Sequence, residues 1–370
     1  MWVSVMNMYK ATRDDAINYL RGISIIYVVI HHSFTMPVTI ELQWLVGLLQ
    51  RITSEGTTLF ILISGYLFYY LLNSYEYVDY LNKKTKNVLF PYLLVSIPAI
   101  LIYVLSLKTN HNWLDMAQFT EFSTIVKIVY LYFTGAHLGP FWYVPVIILV
   151  FIISPLTVLM MKFVNPLILS FMCLIIAYLL PRPPGNSNVL MSYAHFYPIF
   201  LFGAVLYKCR AYWLAKINNT FVLSFLLIFY AFLILSSTLG FSIPPFLDKI
   251  IVFIVLYYLL QKSNGLSDFI FLKRLLDILA VYSFPIYFIH GYFIALTRML
   301  WGETIWSNLI EYMFFGLSVF CITLIASVFC ISAISILFGK NSNKIIGLNY
   351  KEYLKISPIL SLSYGVKNVD

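Results

Sequence analysis

Three ionisable residues in the apolar segment DAINYLRGISIIYVVIHHSF have the types and the spacing to do chemistry: Arg21, His31 and His32. An ionisable group inside a membrane is costly and normally faces a protein interior or a water-filled cavity. Taken alone, Arg21 reads as a cation snorkelling to a membrane edge. Its spacing to His32 says more. Eleven residues turn a helix by about 1100°, about 20° past three turns, over a rise of about 16 Å. Arg21 and His32 therefore share a face, and His31 is rotated from Arg21 by about 80°. A cation near one edge, with an imidazole deeper on the same face, suggests a polar tunnel. Imidazole is the side chain best suited to take a proton near neutral pH. The alternative is a pair of buried histidines satisfied by hydrogen bonds, and the residues alone leave both open.

A second group lies late in the chain. Ser283, Tyr287 and His290 fall at i, i+4 and i+7, one stripe of a helix. They either line the same cavity and orient a substrate, or form an interhelical hydrogen-bond cluster that packs the bundle. Glu41, Glu55, Glu303 and Glu311 could pair with His32 or with a substrate, Glu55 foremost because it precedes the second apolar segment. Trp142 is a cavity wall or an interfacial aromatic, and Ser64 beside Gly65 suits close helix approach. His111, His137 and His195 fall in loops or near a membrane edge and read as surface histidines without a role. The four cysteines, Cys173, Cys209, Cys321 and Cys330, have no paired spacing and read as small buried hydrophobes. Neither a metal site nor a bound cofactor is expected.

The elements that must position these residues are membrane helices. Of the 370 residues 61% are hydrophobic and 11% charged, and the mean hydropathy is +0.87. A soluble domain carries roughly 25% charged residues; a fold this apolar needs lipid as its solvent. Crossing the hydrocarbon core takes about 20 apolar residues. Ten segments qualify, near residues 17–38, 56–73, 87–107, 141–161, 164–181, 193–208, 220–239, 246–262, 277–300 and 308–337. The expected fold is an all-α polytopic transmembrane bundle of about ten helices. Pro198 is expected to interrupt the sixth segment, and 341–370 to form a cytoplasmic tail after a membrane domain over 1–340. The start, MWVSVMNMYKATRDD, lacks the pattern of a cleavable signal, so the first helix is expected to remain. The stretch TEFSTIVKIVYLYFTGAHLG reads as an amphipathic helix on the membrane surface or as a re-entrant segment.

Lys and Arg in the loops set the orientation. With the N-terminus inside, one face holds only Arg51, Lys108, Lys127, Arg182, Lys249 and Arg298. Apart from Arg21, every other Lys and Arg falls on the opposite face, from Lys10 and Arg13 to Lys367. Both termini are therefore expected in the cytoplasm. The net charge of +9 then follows from topology, with no nucleic acid as partner.

These residues also carry a resemblance. LRGISIIYVVIHH resembles the signature of the membrane-bound acyltransferase-3 family, an arginine followed after ten residues by a histidine, at Arg21 and His32. FILISGYLF (Ser64, Gly65, Tyr66), KKTKNVLFPYLL, FWYVPVIIL (Trp142), YPIFLFGAVLY (Gly203) and SFPIYFIH (Ser283, Tyr287, His290) are similar, in order, to further motifs of that family. The likeness spans about residues 13–340. It implies an inner-membrane O-acyltransferase that moves an acyl group, most often acetyl from acetyl-CoA, onto an extracytoplasmic polysaccharide, lipopolysaccharide or related glycan. In it the position of His32 is the catalytic base and that of Arg21 is essential beside it. Lys83, Lys84 and Lys86 are candidates for the CoA phosphates, because clustered cations neutralise phosphate; they could equally be ordinary cytoplasmic positive charge. The family often has arginine where this chain has Asn87. The implied partners are acyl-CoA, a glycan acceptor, the bilayer and polysaccharide-biosynthesis proteins. Some relatives are described instead as polysaccharide exporters, which leaves an export component as the second functional class.

Overall fold

The computed structural model describes residues 14–185, 187–262, 269–301 and 304–356. Lys10, Arg13, Glu303, Lys367 and the rest of the chain beyond 356 lie outside the described residues. Eighteen α-helices run through them, joined by short 3-10 and π turns, and the sole β-type contact is one isolated bridge. In chain order the first are α1 (Asp15–Ser33), α2 (Ile40–Thr53), α3 (Gly56–Tyr70), α4 (Tyr77–Lys84) and α5 (Phe90–Val104). Next come α6 (Met116–Glu121), α7 (Thr124–Thr134), α8 (Tyr143–Ile152), α9 (Ser154–Phe163) and α10 (Pro166–Leu179). Then follow α11 (Val189–Lys208), α12 (Arg210–Ile217), α13 (Thr220–Thr238) and α14 (Pro245–Lys262). The chain closes with α15 (Ile270–Trp301), α16 (Leu309–Phe338), α17 (Ser342–Ile346) and α18 (Tyr350–Ile356).

Among the described residues, five helical stretches are long and apolar enough to cross a membrane, six if the bent pair α7 and 139–152 counts as one. The other apolar segments also fold as helices, but they are shorter or carry charge. Thus α3 has 15 residues, α10 has 14, and α1 is diluted by Asn18, Arg21, His31 and His32. The segment 141–161 divides at Ile153 into α8 and α9, with Pro155 in the first turn of α9, where a missing N–H costs nothing. Pro198, expected to interrupt its segment, instead sits inside the continuous 20-residue helix α11; neighbouring helices make an internal proline tolerable in a membrane bundle. Residues 342–356 pack on the bundle: Ile346 and Leu348 are fully buried, and Tyr353 meets Tyr282.

Backbone contact between helices replaces hydrophobic burial as the organising force, because lipid is as apolar as leucine. At the crossing of α3 and α11, a Cβ on Gly65 would run into the Phe200 carbonyl, and one on Gly203 into that of Leu62. A second close approach sets the functional register. Gly22 of α1 lies against α15, where a Cβ would stand 3.0 Å from the Leu276 carbonyl and 3.3 Å from the Ala280 nitrogen. By contrast α13 is apolar all round yet mostly exposed, with Phe221, Phe225, Ile228 and Phe232 on its surface, as expected of a helix that faces lipid.

Candidate active site

The contact at Gly22 determines which residues meet further along. Ten residues beyond Gly22 is His32, and ten beyond Ala280 is His290. The two helices run parallel at this contact, and the rings stand 5.6 Å apart between centroids. His31 meets His32 at 5.5 Å, and Tyr287 lies 5.9 Å from His290. The stripe expected on α15 therefore does reach the face of α1 that carries Arg21 and His32.

The hydrogen bonds of His290 define its chemistry. Its Nδ1 stands 3.0 Å from the Ile286 carbonyl and 2.9 Å from that of Tyr287. A carbonyl only accepts, so Nδ1 carries the hydrogen and Nε2 holds the lone pair. That Nε2 is buried and has no partner. Tyr287 donates to the Pro140 carbonyl, its ring lies 5.5 Å from that of Tyr143, and Ser64 acts on the Tyr143 hydroxyl. Tyr143, Tyr287, His290 and His32 thus form a run of neighbouring rings through the interior. Ser283 departs from the expectation that it lines a cavity: it is fully buried and donates to Ala280 of its own helix at 2.8 Å.

Beyond His32 the site opens into a small pocket of about 30 Å³, lined among others by Arg298, Trp301, Thr304 and Trp306, with room for a water or two. Arg298 donates to the His32 carbonyl at 3.3 Å and to the Thr35 hydroxyl. The loop carrying Trp306 is held to the end of α1 by bonds from Trp306 N to the Pro37 carbonyl (3.1 Å) and from Thr39 N to the Trp306 carbonyl (2.9 Å).

Side chains that the sequence places on one face do gather at this end. Arg51 bonds Asp248 at 2.8 Å and Lys249 bonds the same carboxylate at 2.9 Å, with Asp248 and Lys249 fully buried and Arg51 largely so. Glu55, considered as a partner for His32, is instead bonded by Arg182 at 2.7 Å and by the Thr58 hydroxyl at 3.0 Å. Glu41 and Glu311 are exposed. Trp142 is buried, stacks on Phe196 at 5.0 Å, and holds the Arg182 guanidinium 3.8 Å above its ring; it is an interior clamp rather than an interfacial aromatic. The expected amphipathic segment is α7, and it bends by 76° into 139–152. Leu138 and Pro140, at that bend, nest against Gly291 beside His290.

Reading His137 and His195 as surface groups does not hold. His137 is 3% exposed, with Nδ1 donating to the Leu131 carbonyl at 3.0 Å. His195 is 7% exposed, donating to the Leu180 carbonyl at 2.6 Å. Both rings donate to carbonyls at helix ends, those of α7 and α10, where carbonyls can take a further donor. His111, in the loop after α5, bonds the Ala136 carbonyl at 3.0 Å, and burial holds its imidazole below the ordinary histidine range.

At the other end of α1 the three lysines separate. Lys83 is exposed and paired with Asp79 at 2.7 Å, and Lys86 is exposed. Lys84 turns inward, its ammonium 4.6 Å from the Phe151 ring and 5.2 Å from that of Tyr80, and the charge acting on it is that of Arg21. Nearby, Asp14 accepts from Tyr257 at 2.8 Å and Tyr66 at 3.3 Å and pairs with Arg210 at 3.6 Å. This knot ties α1, α3, α12 and α14 together. No cluster of three or more metal-ligating side chains occurs among the described residues.

Residues 14–331 match the family model described as an acyltransferase domain, that of the acyltransferase-3 family. The chain belongs to that family, and its apolar helices make it a multi-pass membrane protein. No curated protein and no solved structure matches it.

Proposed function

We propose that this protein is an O-acyltransferase that takes acetyl from acetyl-CoA on the cytoplasmic side and transfers it to a hydroxyl of an extracytoplasmic glycan. It does so from the cytoplasmic membrane of a bacterial-type cell, as a bundle of about ten spans with both termini inside. The observation that carries this reading is one helix, α1, with inward-turned cationic charge at one end and neighbouring imidazoles at the other. The Arg21 charge acts on Lys84 near the start of α1, and the His32 and His290 rings lie 5.6 Å apart near its end.

The CoA phosphates dock on Lys84 and Arg21, where a poorly hydrated, inward-turned ammonium gains most from an anion. Lys83 and Lys86 add long-range attraction from the surface. The extended pantetheine arm then runs along the shared face of α1, and the thioester arrives beside His32. His32 takes the acceptor hydroxyl proton as that oxygen attacks the thioester carbonyl. The carbon–sulfur bond breaks, and the CoA thiolate recovers the proton from the imidazolium. Tyr287, Ser64 and Tyr143 line the path, while Glu55, Arg182 and Trp142 hold the α2–α3 junction at its far end.

Glycan ester content, measured by mass spectrometry in cells producing the native chain or His32→Ala, tests the reading. Native chains add ester and the variant adds none; equal content overturns the assignment. Membranes that move no label from acetyl-CoA to any glycan acceptor would favour the exporter class instead.

A further inference from the structure

His290 has a buried lone pair that no hydrogen bond uses, 5.6 Å from His32 between ring centroids. A buried polar atom without a hydrogen bond is destabilising; the Nε2 of His137 shares that state among aromatic rings, whereas His290 has the His32 ring beside it. The two carbonyls on Nδ1 prevent a ring flip that would hide Nε2, because Nδ1–H already satisfies both. The rings are tilted by 37° at that separation, a spacing that a ring–ring hydrogen bond or one bridging water can span.

We propose that His290 is a positioning residue for proton transfer, its Nε2 accepting the N–H of His32 so that the other nitrogen of His32 faces the acceptor hydroxyl. The inference rests on the acyl-transfer reading above. It supplies what that reading lacks, a third group that holds the base in one tautomer. In the step itself the acceptor oxygen bonds to the thioester carbon and its proton moves to His32. The sulfur leaves with the bonding pair and takes that proton back. Nothing is oxidised or reduced. While His32 is an imidazolium, the neutral His290 keeps accepting the same N–H and shares the charge. The other groups acting on His32 are His31 on its own helix, Arg298 on α15 and Arg182 from the loop after α10. Glu55 and Lys249 act on His31 behind it. Among these, only His290 offers an unused lone pair fixed in place by its own hydrogen bonds.

The test uses membranes of cells producing the full chain, which carry their own glycan, with radiolabelled acetyl-CoA as the probe. His290→Leu has no acceptor atom and should lower the transfer rate by about 10- to 100-fold without changing donor KM. His290→Gln offers a carbonyl to His32 and should restore part of that loss. His290→Glu places a carboxylate beside His32 and favours its charged form, so the acid limb of the rate profile should move to higher pH. If His290→Leu fails to accumulate, the Gln and Glu variants decide. Equal rates for Leu and the native chain, a Gln rate no better than that of Leu, or an unmoved acid limb for Glu overturns the inference while acyl transfer stands. No label transferred by the native chain overturns both.

Discussion

The two ends of α1 handle charge in opposite ways. At the His32 end every carboxylate in the interior is matched: Asp248 serves Arg51 and Lys249, and Glu55 serves Arg182. The buried atoms left without a partner there include the Nε2 of His290, the Nδ1 of His31 and the Nε of Arg51 and Arg182. At the Arg21 end an inward-turned lysine sits over aromatic rings with a second cation acting on it. On the reading proposed above, phosphate binding draws on the cations of the Arg21 end and proton transfer on imidazoles set among ion pairs. On that reading donor binding and chemistry are separated along one helix by about 16 Å.

Breaking the His32 end should have the largest effect. His32→Ala should lower acetyl transfer by about 10²- to 10⁴-fold, the usual worth of a general base, with the thermal midpoint unchanged. Asp248→Ala attacks the framework instead. It strands Arg51 and Lys249 without their carboxylate and should cost about 3–5 kcal/mol of stability, read by thermal unfolding in detergent or nanodiscs. A native-like midpoint would show that those charges are not tied down by Asp248. Gly65→Ala tests the packing between the two ends. It pushes a methyl into the Phe200 carbonyl and should cost about 1–3 kcal/mol by the same measurement.

The Arg21 end is sharpened by two lysines one residue apart. Lys84→Ala should raise the acetyl-CoA KM roughly tenfold with kcat retained, since it removes a charge-assisted contact made to bound donor and transition state alike. Lys83→Ala should change KM less than about twofold, because its exposed pair with Asp79 is worth at most about 1 kcal/mol. Equal effects would mean that only surface charge matters there, and the donor site would lose its inner wall.

Much of the protein is legible in its sequence for local reasons. Hydropathy specifies membrane helices because each must satisfy its backbone internally. The spacing of Arg21 and His32 specifies a shared face because helical periodicity is a local constraint. The stripe Ser283, Tyr287 and His290 is legible in the same way, but its use is not. Ser283 turns its hydroxyl back to its own helix, and only His290 keeps a nitrogen free. Lys83 and Lys84 look alike in sequence; rotation by one residue sends one to solvent and the other over Phe151, 67 positions away. His137 and His195 look like surface residues because the carbonyls they cap are those of a neighbouring turn or another helix end. Glu55 and Arg182 stand 127 positions apart, with nothing in either neighbourhood to announce the pair.

The sequence alone therefore determined the solvent, the helical class and the face of α1 that holds both Arg21 and His32, since each depends on residues within a few turns of one another. The tertiary structure alone decided that His32 meets His290. That meeting depends on Gly22 lying against Leu276 and Ala280, a contact between backbones more than 250 residues apart. Close approach there sets the register of two parallel helices, and the register delivers one imidazole to the other three turns further on.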